Sequence, residues 1–314
     1  MTLIMVSFLI WSCSPKSDKP VEHQVRFLKG STNNSLEVLD WGGEGQAMIF
    51  LSGIGNSGHV FDEFAPRFTD QYHVYALTRR GFGASEPSAG YDMKTLKDDI
   101  LAVIDSLRIE KVILVGHSIA GDEISKFAVL HPSRVERIIY LDAAYDRTKA
   151  AEFMKYFPEF PKANGNDSSS FLNYKKFMER RAGVNFPEED IRQTSIFSDD
   201  GRYVKEVTAD SIGGALFSSV EHHDYSQIKC PALAIYALND SIIQFVPFYT
   251  NLDDVNKKKA DTLYSLFTDF TIRERTRFMK EVHGGIAKDI MGANHYMFIS
   301  HSAETEKLMR DFLK

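Results

Sequence analysis

The feature that most constrains this chain is a β-branched run that leads directly into a glycine-bracketed turn and then into a helix. The run Lys111–Val115 has the composition of a buried strand. The next segment, Gly116–Gly121, sets Ser118 among small residues, and the pattern of Ser118–Leu130 is helical. Such a strand, sharp turn and helix would raise the serine hydroxyl above the carboxyl edge of a sheet. The bland alternative is a chance serine at a helix N-cap.

The rest of the chain alternates between short apolar runs and helical spacing. Strand-like runs occur at Val25–Leu28, Leu36–Trp41, Ala47–Leu51, Val74–Leu77, Ile138–Leu141 and Ala232–Tyr236. Helical spacing occurs at Leu96–Leu107 and Glu304–Leu313. This alternation predicts an α/β fold with a mostly parallel central sheet and helices on both faces.

The alternation is interrupted once, between residues 145 and 228. That segment contains helical patches and no strand-like run. We therefore expect a helical lid insertion at 145–228, between two parts of one core at 23–144 and 229–314. A second helical stretch, Val255–Val282, has no functional interpretation from sequence.

A serine hydroxyl becomes a strong nucleophile only when a nearby base accepts its proton. The chain order serine, acid, histidine is typical of a nucleophile on such a turn. His295 follows a short strand pattern at the right place in this order and is the predicted base. Asp240 is the predicted acid, and Asp142 is the alternative, because each follows a strand at the same sheet edge.

The tetrahedral intermediate of such a reaction needs two backbone donors for its oxyanion. One predicted donor is the amide of Ile119, directly after the serine. The other is the amide of Ile54, in the glycine-containing loop that follows the strand Ala47–Leu51.

The same loop supports a rival interpretation. Gly53–Gly58 spells a G-x-G-x-x-G sequence after a strand, and Arg79 and Arg80 follow about twenty residues later. This pattern would suit NADP. Against it, the loop follows a third strand and not the first of a βαβ unit, and the rival leaves Ser118 and His295 unexplained.

Taken together, these segments resemble the α/β-hydrolase superfamily, in its lid-bearing branch. The segments that carry the resemblance are Ser52–Gly55, Arg80–Ser85, Gly116–Gly121, Ala237–Asp240 and Gly292–His295. The resemblance covers about residues 36–313. Epoxide hydrolases and hydrolytic dehalogenases of this superfamily carry aspartate at the nucleophile position, so Ser118 argues against both.

The sequence thus predicts a serine hydrolase that cleaves a small-molecule carboxylic ester through an acyl-enzyme, with no metal and no organic cofactor. Peptide, amide or carbon–carbon bond hydrolysis by the same residues is the alternative within enzymes. A non-catalytic binding protein on this fold is the alternative from another class.

Composition and the N-terminus bear on location. With 37 basic and 43 acidic residues, the net charge is −6, which gives no electrostatic reason to bind nucleic acid. Residues 1–22 resemble an export leader with a lipobox-like end at Cys13 and a polar tether after it. We expect an exported, periplasmic or membrane-anchored lipoprotein, with a cytoplasmic protein as the alternative. Cys230 is expected to be a buried thiol, and the sequence predicts no oligomeric state.

Overall fold

The structure of the protein is a computed structural model that describes residues 22–314. The strands are β1 (Gln24–Lys29), β2 (Ser35–Gly42), β3 (Gln46–Leu51), β4 (Tyr72–Leu77), β5 (Val112–His117), β6 (Val135–Leu141), β7 (Ser195–Phe197), β8 (Tyr203–Glu206), β9 (Ala232–Leu238) and β10 (Ile286–Met291). The helices are α1 (Met93–Ser106), α2 (Ala120–Leu130), α3 (Ala150–Met154), α4 (Phe171–Ala182), α5 (Glu188–Thr194), α6 (Asp210–Ser218), α7 (Ile242–Phe245), α8 (Asp254–Glu281), α9 (Met297–Ser300) and α10 (Ser302–Leu313).

Eight strands form one twisted sheet in the order β1-β2-β4-β3-β5-β6-β9-β10. Strand β2 runs antiparallel to both of its neighbours, and the six strands from β4 to β10 in this order are parallel. The predicted fold is confirmed. Since parallel strands end at the same edge, the residues after β3, β5, β6, β9 and β10 are gathered there.

Alternation along the central strands divides the core into two apolar layers. In β5, Val112 and Leu114 face one layer, whereas Ile113 and Val115 face the other, and all four are buried. Helices α1, α2 and α8 cover the first layer. The second is covered by α10 and by phenylalanines of the short turns after β3, with Phe50 and Phe61 in contact at 5.1 Å between ring centroids. Burial of each such side chain contributes roughly 1.5–3 kcal/mol, which makes the sheet a rigid platform for its carboxyl edge.

The segment 145–228 is more varied than the sequence pattern predicts. It holds α3 to α6 but also an antiparallel hairpin of β7 and β8. Tyr203 of β8 stacks on Tyr174 of α4 at 3.9 Å, so the hairpin is held by packing against a helix. Strands of three and four residues are too short to produce a readable alternation, which is why the sequence showed none.

The long stretch between β9 and β10 is mostly one helix, α8, of 28 residues. Its N-cap is Asp253, whose carboxylate accepts the amide of Asn256 at 2.8 Å. Leu263, Phe270 and Phe278 of α8 are buried against the first apolar layer. The helix is therefore part of the core and covers one face of the sheet.

Two cysteine predictions have different outcomes. Cys230 is buried and free, and burial raises the pKa of its thiol to about 11, as expected for an inert cysteine. Cys13 and the apolar stretch before it lie outside the described residues. Within residues 22–314, no helix is both long and apolar enough to cross a membrane.

Candidate active site

Ser118 occupies a strained turn between β5 and α2. Its φ is +55°, a left-handed conformation that is uncommon for residues other than glycine. The turn is tight: a Cβ on Gly121 would lie 2.2 Å from the carbonyl oxygen of Ala143, and one on Gly116 would lie 3.0 Å from that of Ala120. The sequence pattern is thus explained by close approach of neighbouring backbones. The serine amide donates to Leu141 O at 3.3 Å, which ties the turn to the end of β6.

The loop after β3 lies directly on this turn. A Cβ on Gly53 would come within 2.8 Å of His117 Nδ1 and 3.1 Å of Ser118 Cβ, so only glycine fits there. Among the described residues, the main-chain amides of Ile54 and Ile119 donate no hydrogen bond to a protein acceptor. Both amides are therefore available to a ligand beside the serine.

His295 is hydrogen-bonded to Asp142 and not to Asp240. Its Nδ1 lies 2.6 Å from Asp142 Oδ2, and the Asp142 side chain is 6% exposed. Asp240 is exposed, and its amide donates to the side chain of Gln244 at 2.6 Å. The expectation that Asp240 holds the histidine is thus wrong, and the alternative acid, Asp142, occupies that position.

The Asp142 carboxylate is fixed on both sides. Its Oδ1 accepts the Tyr145 hydroxyl at 2.5 Å and the Ala237 amide at 3.2 Å, which leaves Oδ2 for the histidine. Burial, and then the nearby Asp142 charge, raises the pKa of Tyr145 well above its usual range, so the phenol is a permanent donor. Asp142 itself has a φ of +47°. Like Ser118, it is a strained residue at the end of a strand.

The order of the strands explains why His295 contacts the aspartate that follows β6 and not the one that follows β9. Strand β6 lies beside β5 in the sheet, whereas β9 lies one strand further from the serine. The His295 loop follows β10 and crosses the end of β9 to reach β6. Asn239, after β9, supports this path, because its side-chain amide donates to Ala293 O at 2.7 Å.

His117, directly before the serine, holds the histidine loop from beneath. Its Nε2 donates to the carbonyl oxygen of His295 at 3.0 Å, and the two rings lie 4.6 Å apart. Burial, followed by the nearby His295 ring, lowers the pKa of His117 well below its usual range, so this ring is neutral. The described residues contain no hydrogen bond between Ser118 Oγ and His295; such contacts often tighten only when substrate binds.

A buried ion pair between the side chains of Arg79 and Glu123 supports the loop that carries Ile54. Arg79 donates through Nε to Glu123 Oε1 at 2.8 Å and through a terminal nitrogen to Ser52 O at 2.8 Å. Because Glu123 is in the first turn of α2, this pair links the loop after β3 to the helix after Ser118. Burial raises the pKa of Glu123, and the Arg79 guanidinium opposes that rise.

The structure also argues against a dinucleotide-binding site at Gly53–Gly58. The motif Gly53–Gly58 leads into a four-residue 3-10 turn, Gly58–Phe61, and not into a helix whose N-terminus could hold a pyrophosphate. Arg80 is fully buried, and its guanidinium binds Asp99 at 2.6 and 2.7 Å. With Arg79 bound to Glu123, neither arginine is free to meet a 2′-phosphate.

Helix α6, in the segment 145–228, contacts the edge of the sheet at which Ser118 lies. Ile212 and Leu216 are buried in a small apolar cluster with Ile119, and Ile54 packs against that cluster. A Cβ on Gly213 would lie 3.4 Å from Ile54 Cδ1. The wall beside the two free amides is therefore aliphatic.

Tyr145 and His117 were not singled out by sequence, and Arg79 was considered there only as part of the NADP interpretation. The spacing of Tyr145, three positions after Asp142, is a signal only once Asp142 is known to be the acid. Nothing in a single sequence distinguishes Arg79 from an exposed arginine.

Comparison with known proteins agrees with this geometry. Residues 46–244 match the family model of the alpha/beta hydrolase fold. A fluoroacetate dehalogenase from a Burkholderia species is 24% identical over 78% of this chain and 90% of that enzyme. A 2-(acetamidomethylene)succinate hydrolase from Mesorhizobium japonicum is 31% identical, but over only 36% of this chain and 41% of that enzyme.

Solved structures give the same result over nearly the whole chain. The structure of an E-2-(acetamidomethylene)succinate hydrolase has a TM-score of 0.66 and covers 93% of this chain and 99% of its own, at 17% identity. Carboxylesterase CesB from Bacillus subtilis has a TM-score of 0.62 and covers 94% and 92%, also at 17% identity. At such identities the likeness establishes the fold.

Because the family model matches more than half of the sequence, the chain belongs to the alpha/beta-hydrolase family. The dehalogenase, the succinate hydrolase and the carboxylesterase named above are hydrolases, so the predicted enzyme class is confirmed at the level of the family.

Proposed function

We propose that this protein is a serine hydrolase that cleaves carboxylic esters through an acyl-enzyme. Ser118 is the nucleophile, His295 the base and Asp142 the acid. The observation that carries the proposal is the 2.6 Å contact between Asp142 Oδ2 and His295 Nδ1. It lies at the sheet edge where the backbone of Ser118 is strained. Hydrolytic dehalogenases of this superfamily carry aspartate at the nucleophile position, so Ser118 argues against dehalogenation and supports formation of an acyl-serine.

The chemistry proceeds in two halves. Ser118 Oγ attacks the ester carbonyl carbon as its proton passes to His295 Nε2, and the amides of Ile54 and Ile119 bind the oxyanion. The carbon–oxygen bond to the alcohol then breaks, and the alcohol leaves with the proton from His295. A water molecule next gives a proton to His295 and attacks the acyl carbon of the acyl-serine. The bond to Ser118 Oγ then breaks, the carboxylic acid product leaves, and Ser118 regains the proton from His295. Asp142 stabilises the imidazolium in both halves.

Residues 145–228 are proposed to act as the lid of this site. The support is the contact of α6 with the cluster that contains Ile119 and Ile54. An aliphatic wall next to the oxyanion donors favours an apolar acyl group over a charged one.

The test is hydrolysis of nitrophenyl esters from short to long acyl chains by the wild type and Ser118→Ala. We expect turnover by the wild type, a loss of at least about 10³-fold in Ser118→Ala, and an optimum at apolar chains. Equal turnover by both proteins would contradict the proposal. Anilides of the same acids belong in the series, because the partial match to a 2-(acetamidomethylene)succinate hydrolase supports amide cleavage as the second candidate.

The location of the enzyme is a separate proposal that rests on sequence. We propose export and lipid attachment at Cys13, supported by the apolar stretch before this residue and the polar tether after it. We expect the wild type to incorporate labelled palmitate in its native host and Cys13→Ala to incorporate none. No incorporation by the wild type would contradict it.

A further inference from the structure

A cluster of metal-ligating side chains lies away from Ser118, where strand β1 meets the turn after the Ile54 loop. His23 directly precedes β1, whereas His59 and Asp62 belong to the turn Gly58–Phe61 and its C-cap. Each offers one ligand atom, and these three atoms all lie within 4.8 Å of one another. None of the three has a role in the proposed reaction.

We propose that His23, His59 and Asp62 form a binding site for a divalent transition metal ion, with Zn²⁺ as the best match. Two imidazoles and one carboxylate are a ligand set that suits Zn²⁺, whose bonds to these groups are about 2.0–2.2 Å. Tetrahedral geometry at such lengths separates ligand atoms by about 3.4 Å. Asp62 Oδ2 lies 2.9 Å from His59 Nδ1 and Asp62 Oδ1 lies 3.9 Å from His23 Nδ1, so both histidines face the same carboxylate.

Unsatisfied polar atoms at the cluster are the second observation. Asp62 Oδ1 is buried without a hydrogen-bond partner in the described structure, and it faces His23 Nδ1 across 3.9 Å, too far for a hydrogen bond. Leaving such a buried oxygen unpaired destabilises the folded state. A cation between these two atoms would give Asp62 Oδ1 the partner that it lacks.

A buried carboxylate lies on the far side of His59. Among the described residues, His59 Nε2 is buried without a hydrogen-bond partner and lies 3.6 Å from Glu37 Oε1, too far for a hydrogen bond, whereas the other oxygen of Glu37 accepts the Thr78 hydroxyl at 2.7 Å. A metal bound at Nδ1 would leave the ring proton on Nε2, where it faces this carboxylate. Glu37 is buried, so its own orientation is fixed by packing and by Thr78.

Aromatic packing holds the His23 ring in place. The ring packs edge-on between Trp41, at 5.3 Å between ring centroids, and His59, at 5.1 Å.

Such a site would fasten an edge of the sheet. Among residues 22–314, strand β1 pairs only with β2, and most of its side chains are exposed. A metal bound by both His23 and His59 would tie the start of β1 to the segment that carries the Ile54 loop. Metal binding to the folded state alone would then raise the melting temperature.

The experiment is calorimetric titration of Zn²⁺ into the chelator-treated full-length protein without an affinity tag, together with thermal melting. The wild type is expected to bind one Zn²⁺ and to melt several degrees higher with it. His23→Ala, a partly exposed position that leaves the core intact, is expected to bind at least about 100-fold more weakly and to lose the thermal shift. His73→Ala is the matched control, because His73 also contacts an aspartate, Asp40 at 2.8 Å, but belongs to no three-residue ligand group within the described part of the chain.

Replacement by Co²⁺ adds a spectroscopic readout, since a tetrahedral nitrogen and oxygen site gives visible absorption bands. Those bands are expected in the wild type and in His73→Ala and not in His23→Ala. No Zn²⁺ binding by the wild type, or unchanged binding by His23→Ala, would overturn the proposal and leave His59 as a simple ion-pair partner of Asp62. Ester turnover plays no part in these measurements, so they test the metal site independently of the proposed function.

Discussion

Asp142 Oδ2 lies 2.6 Å from His295 Nδ1 although the two residues are 153 positions apart in the chain. The contact joins the end of β6 to the loop after β10, across the end of β9. It decides which of two strand-end aspartates can orient the histidine, and it places that acid on the strand beside the one that leads to Ser118.

Substitution of the two aspartates distinguishes their roles. In Asp142→Asn the histidine loses the partner that stabilises its charged form, so kcat for a nitrophenyl ester is expected to fall about 10³–10⁴-fold. Asp240→Asn, at an exposed position without that contact, is expected to retain activity within about threefold. Steady-state kinetics of both variants provide the measurement. The reverse ranking would return the role to Asp240.

Arg79 is predicted to be essential for stability through its buried pairing with Glu123. Arg79→Met leaves the Glu123 carboxylate buried without a partner, and we expect a loss of about 3–5 kcal/mol in the free energy of unfolding. The double variant Arg79→Met/Glu123→Gln removes both charges and is expected to recover a large part of that loss. Urea denaturation compares the three proteins. A double variant no more stable than Arg79→Met would refute the pairing as the cause.

The neutral state of His117 predicts a pH dependence of stability. Its pKa is lowered by burial in the folded protein, so below about pH 6.5 the unfolded chain binds a proton that the folded chain does not. The free energy of unfolding therefore falls as pH decreases below 6.5, by up to about 1.4 kcal/mol per pH unit for this group. His117→Gln keeps a donor for His295 O and removes this contribution.

The measurement is chemical denaturation of the wild type and His117→Gln between pH 5 and pH 8. Groups remote from position 117 contribute equally to both curves, so the difference between the two curves reports on His117 and the residues that it contacts. We expect the curves to converge as pH decreases and to run parallel above pH 7. Parallel curves throughout would show that His117 titrates normally.

Two glycines provide a matched test of how closely neighbouring backbones approach each other at the Ser118 turn. Gly121→Ala would place a Cβ 2.2 Å from Ala143 O, and we expect a loss of about 3 kcal/mol or more in stability together with loss of activity. Gly214→Ala adds the same methyl group in α6, where no atom lies within 4 Å, and is expected to be neutral or to stabilise the protein by up to about 1 kcal/mol. Thermal melting compares them. Equal effects would mean that the turn is not tightly packed.

Periodicity and turn chemistry were sufficient to predict the sheet and the serine turn, whereas His295 was selected by the chain order serine, acid, histidine. The first two features are local: a β-branched run identifies a strand wherever it pairs, and small residues around a serine identify a tight turn. The short hairpin of β7 and β8 was missed because its strands are too brief to alternate. Helix α8 was expected as a helical stretch, but its place in the core depends on packing against the sheet.

The choice between Asp142 and Asp240 could not be made from local pattern. Both follow apolar strands and end at the same edge, and the deciding facts are strand order and the reach of the His295 loop. The left-handed backbone of Asp142 and its bond to Tyr145 follow from that packing. The same holds for Arg79, which looks like any other charged residue until Glu123 is brought to it.

The most direct test of the account is whether Ser118 is a reactive nucleophile. The wild type, Ser118→Ala and Asp142→Asn would be treated with a fluorophosphonate probe and analysed by intact mass and peptide mapping. We predict one adduct on the wild type, located on Ser118, slow labelling of Asp142→Asn and none of Ser118→Ala. An adduct on another residue, or a wild type that stays unlabelled while folded, would contradict the assignment of Ser118 as the nucleophile.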